Sequence, residues 1–157
     1  MKHFLFNLAI VVFAIFIGSQ ITEGVILVPY WQSLSSADFY AYYNEFGPSI
    51  GQFYTVLTIV AALIPVLFLV YSKVSNNLKA LKFALSSTFF ALLFVSSFYI
   101  YFKGTNELFY EGAFSSDELK SELIIWSYWH WGRIVVEFVS LAFLIFGVNC
   151  IQKNEGE

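Results

Sequence analysis

Residues 124–151 read IIWSYWHWGRIVVEFVSLAFLIFGVNCI. This stretch is long enough to cross a membrane as one helix, which requires about 20 mostly apolar residues. Within it, Trp126, His130, Arg133 and Glu137 follow spacings of 4, 3 and 4 residues, so their side chains share one helix face. Ionisable side chains are costly in hydrocarbon and usually face a bundle interior. The stretch therefore predicts a membrane bundle that encloses a polar chamber.

The composition places the whole chain in the same class. Of its 157 residues, 59% are hydrophobic and only 12% are charged, whereas a soluble domain carries about a quarter charged residues. The net charge of −3 excludes the basic surface of a nucleic-acid-binding protein. A single cysteine, Cys150, excludes an internal disulfide. His3 and His130 fall on opposite sides of the predicted bundle, so we predict no metal site and no cofactor.

Four stretches qualify as membrane spans, which predicts an all-α membrane four-helix bundle with residues 1–157 forming a single domain. Asn76 and Asn77 mark a tight turn and supply an N-cap for the third span. Each stretch is long enough to span with some tilt. The predicted spans are 4–30, 51–71, 78–102 and 124–151.

The lysines indicate how the bundle is oriented, because cytoplasmic segments carry the excess of basic residues. Most of them lie at the two termini and in the second connection, at Lys2, Lys73, Lys79, Lys82 and Lys153. We therefore predict cytoplasmic termini and a location in a bacterial inner (plasma) membrane, and an even number of spans agrees. The alternative is that residues 1–19 form a cleaved signal peptide. The apolar run resumes at residues 25–28, which disfavours cleavage.

The two outer connections carry helical signals of their own. Residues 36–46 begin with an N-cap candidate, are rich in aromatic side chains and end at Gly47-Pro48. This pattern predicts a short interfacial helix at the level of the lipid headgroups. Ser115 and Glu118 form an S-x-x-E capping box, which predicts a helix that continues into the fourth span.

The depths of the polar residues predict which helices face each other. At a rise of about 1.5 Å per residue, Arg133 lies roughly 10 Å below Trp126, and Glu23 lies roughly 10 Å below the outer end of the first span. By the same counting, Gln20 should be level with Glu137. We therefore predict that the first and fourth helices share a polar layer in the outer half of the membrane.

Two interpretations of this layer stay open. Glu23 and Glu137 outnumber Arg133, so a proton on His130 would make the layer neutral, and histidine titrates near physiological pH. His130 is thus a candidate for binding and releasing a proton near neutral pH. In the structural interpretation, a buried Arg–Glu pair only fixes the helix register, and His130 belongs to an interfacial belt of aromatic rings.

Three short motifs resemble a known family. They are the segment GVILVPYW at 24–31, the segment Asn106-Glu107-Leu108 before an outer helix, and Trp126 followed by Arg133. The chain resembles the four-helix membrane proteins of largely unknown function that include the fungal anthrone oxygenases. Thr105-Asn106-Glu107 stands where that family usually has an asparagine–proline form, so the resemblance implies the fold rather than the substrate.

The resemblance implies cofactor-free oxygenase chemistry on a substrate with an acidic carbon–hydrogen bond beside a carbonyl. His130 would be the base, oriented by Glu137 or Glu23, and Arg133 would stabilise the enolate oxygen. These four residues are the catalytic candidates. The candidates for contact with the substrate are Gln20, Trp126, Trp129, Asn44 and Asn106.

Three classes of function therefore compete. The first is a membrane protein that binds a small hydrophobic or aromatic molecule, with or without oxygenase chemistry; its expected partners are membrane lipid and that molecule. The second is a proton-coupled transport component, for which a homo-oligomer would supply symmetry. The third is a structural bundle whose polar layer only fixes helix packing. A cavity beside Arg133 would favour the first class, and a sealed Arg–Glu pair would favour the third.

Overall fold

A computed structural model of the chain describes residues 2–154, and this part contains helices and no β-strand. Four long helices follow one another, and all four are long enough and apolar enough to cross a membrane. The predicted all-α class and the four apolar helices are confirmed, as expected of an integral membrane protein. The helices are α1 (Lys2–Ser33), α2 (Ser36–Val74), α3 (Leu78–Glu111) and α4 (Ser116–Asn154).

Two helix starts follow the predicted capping signals. Asn76 adopts a positive φ of 53°, and the Asn77 side-chain oxygen accepts a hydrogen bond from the Ala80 N–H at 3.0 Å. At the start of α4, the Ser115 N–H donates to the Glu118 carboxylate at 2.8 Å. Each interaction satisfies a backbone or side-chain donor at a helix end, where intrahelical partners are missing.

The predicted interfacial helix at 36–46 is not a separate element. It is the first part of α2, which continues without a break through Gly47 and Pro48 to Val74. Gly47 does not form a turn but lets α2 and α3 pack closely, because a Cβ on Gly47 would lie 2.8 Å from the hydroxyl oxygen of Tyr110 on α3. Packing against α3 thus outweighs the helix-breaking tendency of this dipeptide. Helices α3 and α4 also extend beyond the predicted spans at the same end of the bundle.

Two cores stabilise the bundle, one on each side of the polar residues. The larger core contains Phe13, Phe16 and Phe94 together with aliphatic side chains of α4. The smaller core is mainly aromatic and lies near the α1–α2 and α3–α4 connections, where Trp31 and Trp126 pack edge to face at 5.4 Å between ring centroids. Gln20 and Glu23 of α1, and His130 and Arg133 of α4, lie between these cores in sequence, so apolar packing holds them from both sides.

Small residues bring α3 and α4 into close contact. The Ser87 hydroxyl donates to the Ser140 carbonyl oxygen at 2.8 Å, and the Ser140 hydroxyl donates to the Ser87 carbonyl oxygen at 2.9 Å. Ala84 and Ala91 are buried on the same helix as Ser87. Small side chains at a helix interface let the backbones approach, as is typical of membrane bundles.

Candidate functional site

Arg133 links the first and last helices, as the depth count predicted. Its Nη2 donates to the Gln20 side-chain oxygen on α1 and to His130 Nδ1 on α4, the latter at 3.0 Å. The same nitrogen lies 3.7 Å from a carboxylate oxygen of Glu23. The predicted pairing of Glu23 with Arg133 is therefore confirmed. Gln20, which was predicted to lie level with Glu137, hydrogen-bonds Arg133.

The remaining contacts of the guanidinium come from α3 and from its own helix. Its central carbon lies 4.5 Å from the ring centroid of Phe102, a distance at which a cation and an aromatic face attract each other. Its Nε lies 3.7 Å from a carboxylate oxygen of Glu137, one turn further along α4. Arg133 is the only arginine in the sequence, and it ties three of the four helices together.

Two π-helical segments flank this cluster. The segment Glu23–Leu27 interrupts α1 and begins with the carboxylate residue, and the segment Phe98–Phe102 interrupts α3 and ends with the ring under Arg133. A π-helical turn shifts the side chains that follow it and often occurs at a functional site. The neighbouring Gly24 allows close packing, because a Cβ there would lie 3.1 Å from the ring of His130.

The hydrogen bonds of His130 define a neutral imidazole. Its Nε2 lies 2.8 Å from the backbone carbonyl oxygen of Gln20, which can only accept, so Nε2 carries the hydrogen. Its Nδ1 accepts from Arg133, which can only donate. The ring is 0% exposed and stacks on Trp126. Both nitrogens are therefore occupied, and this arrangement leaves no lone pair to receive a proton from a ligand.

Several buried polar atoms of the cluster lack partners within residues 2–154. Both carboxylate oxygens of Glu137 are buried without a hydrogen bond, and so are Arg133 Nε and Gln20 Nε2. Such atoms are rare in folded proteins, because an unpaired buried polar group costs free energy. With His130 neutral, two carboxylates face one guanidinium, so the cluster carries one excess negative charge unless one carboxyl group holds a proton.

A cavity of about 740 Å³ lies beside this cluster, between α2 and α3. Its wall is mostly apolar and aromatic, and Glu23 and Arg133 are the charged residues from α1 and α4 that reach it. It extends along α2 from Tyr43 to Val66, a length of about 35 Å at a rise of about 1.5 Å per residue. Exposed side chains of both helices form its rim, so the cavity opens on the outer surface of the bundle, where lipid would be.

The structure places four of the nine candidate residues in the cavity wall. These are Glu23, Arg133, Trp126 and Asn106. The last two are joined, because the Trp126 indole N–H donates to the Asn106 side-chain oxygen at 3.1 Å. His130, Glu137 and Gln20 do not line the cavity; they lie behind its wall, buried between α1 and α4.

Asn44 and Trp129, predicted to contact a substrate, lie outside this cavity. The Asn44 amide N–H donates to the Tyr40 carbonyl oxygen at 2.9 Å on the exposed face of α2, because the helix continues past it instead of ending. Trp129 lies one position away from the polar face of α4 and stacks on Tyr101 with 5.0 Å between ring centroids. It lines a second cavity of about 520 Å³ on the other side of Arg133.

Sequence reasoning missed two features of the site. Phe102 was treated only as the end of a span, although it lies under the guanidinium. Tyr54 was not considered; it lines the cavity and donates its hydroxyl hydrogen to the Ser19 carbonyl oxygen at 3.1 Å. Tyr54 follows Tyr43, Gly47 and Ile50 at helical spacing, and this periodic face was the signal available in the sequence.

The comparisons with known proteins do not identify a relative. No family model, no curated protein and no solved structure matches this chain. Inferences about its function therefore rest on the geometry of the polar cluster and of the cavity beside it.

Proposed function

We propose that this protein binds a small, elongated hydrophobic molecule in the cavity between α2 and α3, with the polar head of that molecule against Glu23 and Arg133. The observation that carries the proposal is a cavity of about 740 Å³ with an apolar wall and these two charged groups in it. Binding sites for small molecules have this volume range and combine an apolar lining with a few polar groups that fix orientation.

The contacts of Arg133 favour binding over a purely structural polar layer. In a structural layer, Glu23 or Glu137 would seal the guanidinium. Here both carboxylates lie within ion-pair distance of the guanidinium, at 3.7 Å, but neither accepts a hydrogen bond from it, and the side chain keeps 12% of its surface exposed beside two cavities. A charged group in a membrane bundle that borders open space is a candidate ligand contact.

The shape of the cavity supports entry from the membrane. One end is apolar and includes Ala62, Leu63 and Val66, whereas the other end includes Lys103 and Glu107. An apolar chain would occupy the first end because its transfer from water into apolar surroundings is favourable. Since exposed side chains form the rim, a ligand dissolved in lipid would reach the cavity laterally.

Filling the cavity should abolish binding. Gly51 lines it, and a Cβ added there meets no atom within 4 Å, so Gly51→Phe should occupy the cavity without straining the backbone. We expect mass spectrometry of solvent extracts to find a hydrophobic molecule with the purified protein, and at least about tenfold less of it, equivalent to about 1.4 kcal/mol, with Gly51→Phe.

The matched control is Gly18→Phe. Gly18 is also an exposed helical glycine with open space around it, and it lies outside the cavity. This variant should retain the molecule at the level of the unaltered protein. Equal amounts in all three samples, or no molecule in any of them, would contradict the proposed function.

We also propose that both termini face the cytoplasm of a bacterial cell. Two observations support this orientation: Gln152 donates to the Asn7 side-chain oxygen at 3.4 Å, so both described chain ends lie at one end of the bundle, and most lysines lie at that end. Basic residues concentrate on the cytoplasmic side of membrane proteins. Terminal reporter fusions should be active only with a cytoplasmic reporter, and activity of a periplasmic reporter would contradict the orientation.

Cofactor-free oxygenase chemistry is a second proposal, and the carboxylate of Glu23 favours it, because it lines the cavity and accepts no hydrogen bond within residues 2–154. The proposal gives the role of base to Glu23 because His130 has both nitrogens occupied. Glu23 would remove a proton from a carbon beside a carbonyl, and Arg133 would donate to the enolate oxygen. The carbanion would bond dioxygen, which is reduced to a hydroperoxide, and the proton would return from Glu23 to the peroxide oxygen.

Oxygen consumption with anthrone in lipid vesicles tests this chemistry. The unaltered protein should accelerate oxygen uptake above the rate in empty vesicles, and Glu23→Gln should lose at least about 100-fold of that acceleration, as is typical when a general base is removed. Glu45→Gln, which alters an exposed carboxylate outside the cavity, should keep it. An unchanged rate with Glu23→Gln would rule out this role.

A further inference from the structure

Two polar groups in the cavity wall have unused hydrogen-bonding capacity. Arg133 Nη2 is fully occupied by Gln20 and His130, but Nη1 makes no hydrogen bond within residues 2–154 and is not among the buried unpaired atoms, so it keeps accessible surface. The same holds for both carboxylate oxygens of Glu23, whose side chain is 6% exposed. Arg133 lines two cavities, and the larger of the two is the one that it shares with Glu23. A ligand in that cavity can therefore meet a donor and an acceptor that lie near each other.

The charges around this pair disfavour a charged ligand. An anionic head could bind Arg133, but the Glu23 carboxylate already lies 3.7 Å from the same guanidinium, so the anion would place a second negative charge beside it. A cationic head could bind Glu23, but it would lie against the free Nη1 of Arg133. A buried charge without a partner of opposite sign is costly, and like charges in contact repel. The other groups facing the guanidinium, the neutral His130 and the ring of Phe102, do not change this balance.

We propose that the ligand has an uncharged head group that accepts a hydrogen bond from Arg133 Nη1 and donates one to the Glu23 carboxylate. A primary amide has this pattern, and so does a hydroxyl group beside a carbonyl. Such a head satisfies both free groups of the wall and leaves the total charge of the cluster unchanged. This inference rests on the proposed function, because it specifies the chemical class of the molecule bound in the same cavity.

Three probes of equal shape and different charge test the inference. They are para-octylbenzamide, which is neutral, para-octylbenzoate, which is anionic, and para-octylbenzamidine, which is cationic. Their planar heads and alkyl chains have nearly the same size, so differences in affinity report on charge and hydrogen bonding. With the purified full-length protein in nanodiscs, we expect the dissociation constant of the benzamide to be lower than those of the other two by about tenfold or more, equivalent to about 1.4 kcal/mol.

Glu23→Gln should change the order of the probes in a defined way. The substitution keeps the size of the side chain and removes its charge, so the benzoate should gain about tenfold relative to the benzamide, and the benzamidine should lose affinity. Glu45→Gln is the control, because Glu45 is an exposed carboxylate of α2 that lies outside the cavity. It should leave the ratios between the three probes unchanged.

The outcomes separate this inference from the proposed function. If the benzoate binds most tightly to the unaltered protein, Arg133 alone selects the head, and the inference is overturned while the cavity remains a binding site. If the benzamidine binds most tightly, the excess negative charge selects it, with the same consequence. If no probe binds, the inference is also overturned, and the extraction experiment with Gly51→Phe and Gly18→Phe then decides whether the proposed function fails as well.

Discussion

At the residue scale, Arg133 has two roles that one side chain can combine. One edge of the guanidinium fixes α1 against α4 through Gln20 and His130, whereas we propose that Nη1 contacts the ligand in the cavity that Arg133 lines together with Glu23. The buried polar atoms of the cluster that make no hydrogen bond within residues 2–154 indicate that it is not arranged for stability alone. Glu137 in particular is fully buried and makes no hydrogen bond within the described part of the chain.

Arg133 and Glu137 should therefore contribute unequally to stability. Arg133→Met should lower the free energy of unfolding by about 3–5 kcal/mol, because it leaves two buried carboxylates without a cation. Glu137→Gln should leave stability unchanged or raise it, because it removes the excess negative charge at nearly constant volume. Thermal unfolding in detergent, followed by circular dichroism, measures both effects. A Glu137→Gln protein as unstable as Arg133→Met would mean that the carboxylate of Glu137 is an essential partner.

At the element scale, the sequence predicted the helices better than their ends and distortions. Apolar length predicted four spans because the cost of unsatisfied backbone groups in lipid leaves few alternatives to helices. Gly47-Pro48 was expected to end a helix, but the helix continues through it, and Gly47 makes room for the side chain of Tyr110. The π-helical segments Glu23–Leu27 and Phe98–Phe102 could not be predicted, because they follow from how neighbouring helices pack and not from local preference.

Close helix packing predicts that two glycines of α4 respond differently to alanine. A Cβ on Gly147 would lie 2.6 Å from a ring carbon of the buried Phe68 on α2, so Gly147→Ala should cost about 1–3 kcal/mol through overpacking. A Cβ on Gly132 meets open space, so Gly132→Ala should gain up to about 1 kcal/mol from helix propensity. The free energies of unfolding of the two variants, measured under the same conditions, test this difference. Equal effects would contradict the close approach of α2 and α4.

At the scale of the whole molecule, counting helical rise predicted which helices share the polar layer, because neighbouring spans run in opposite directions and depths can be compared. It predicted the Glu23–Arg133 pair for that reason. It did not predict that the cavity would lie between α2 and α3, because the count compared only the polar residues of α1 and α4, and the cavity face of α2, with Tyr43 and Tyr54, carries no charged residue. The hydrogen-bond partners of the two His130 nitrogens could not be predicted either, because they depend on the position of the Gln20 backbone carbonyl and on the rotamer of Arg133.

The most direct test of the central claim is a crystal structure grown from a lipid phase in the presence of para-octylbenzamide. We expect elongated density between α2 and α3, with the amide oxygen within hydrogen-bonding distance of Arg133 and the amide nitrogen within that distance of Glu23. Ligand density elsewhere on the bundle, or a guanidinium turned away from both the cavity and Glu23, would contradict it.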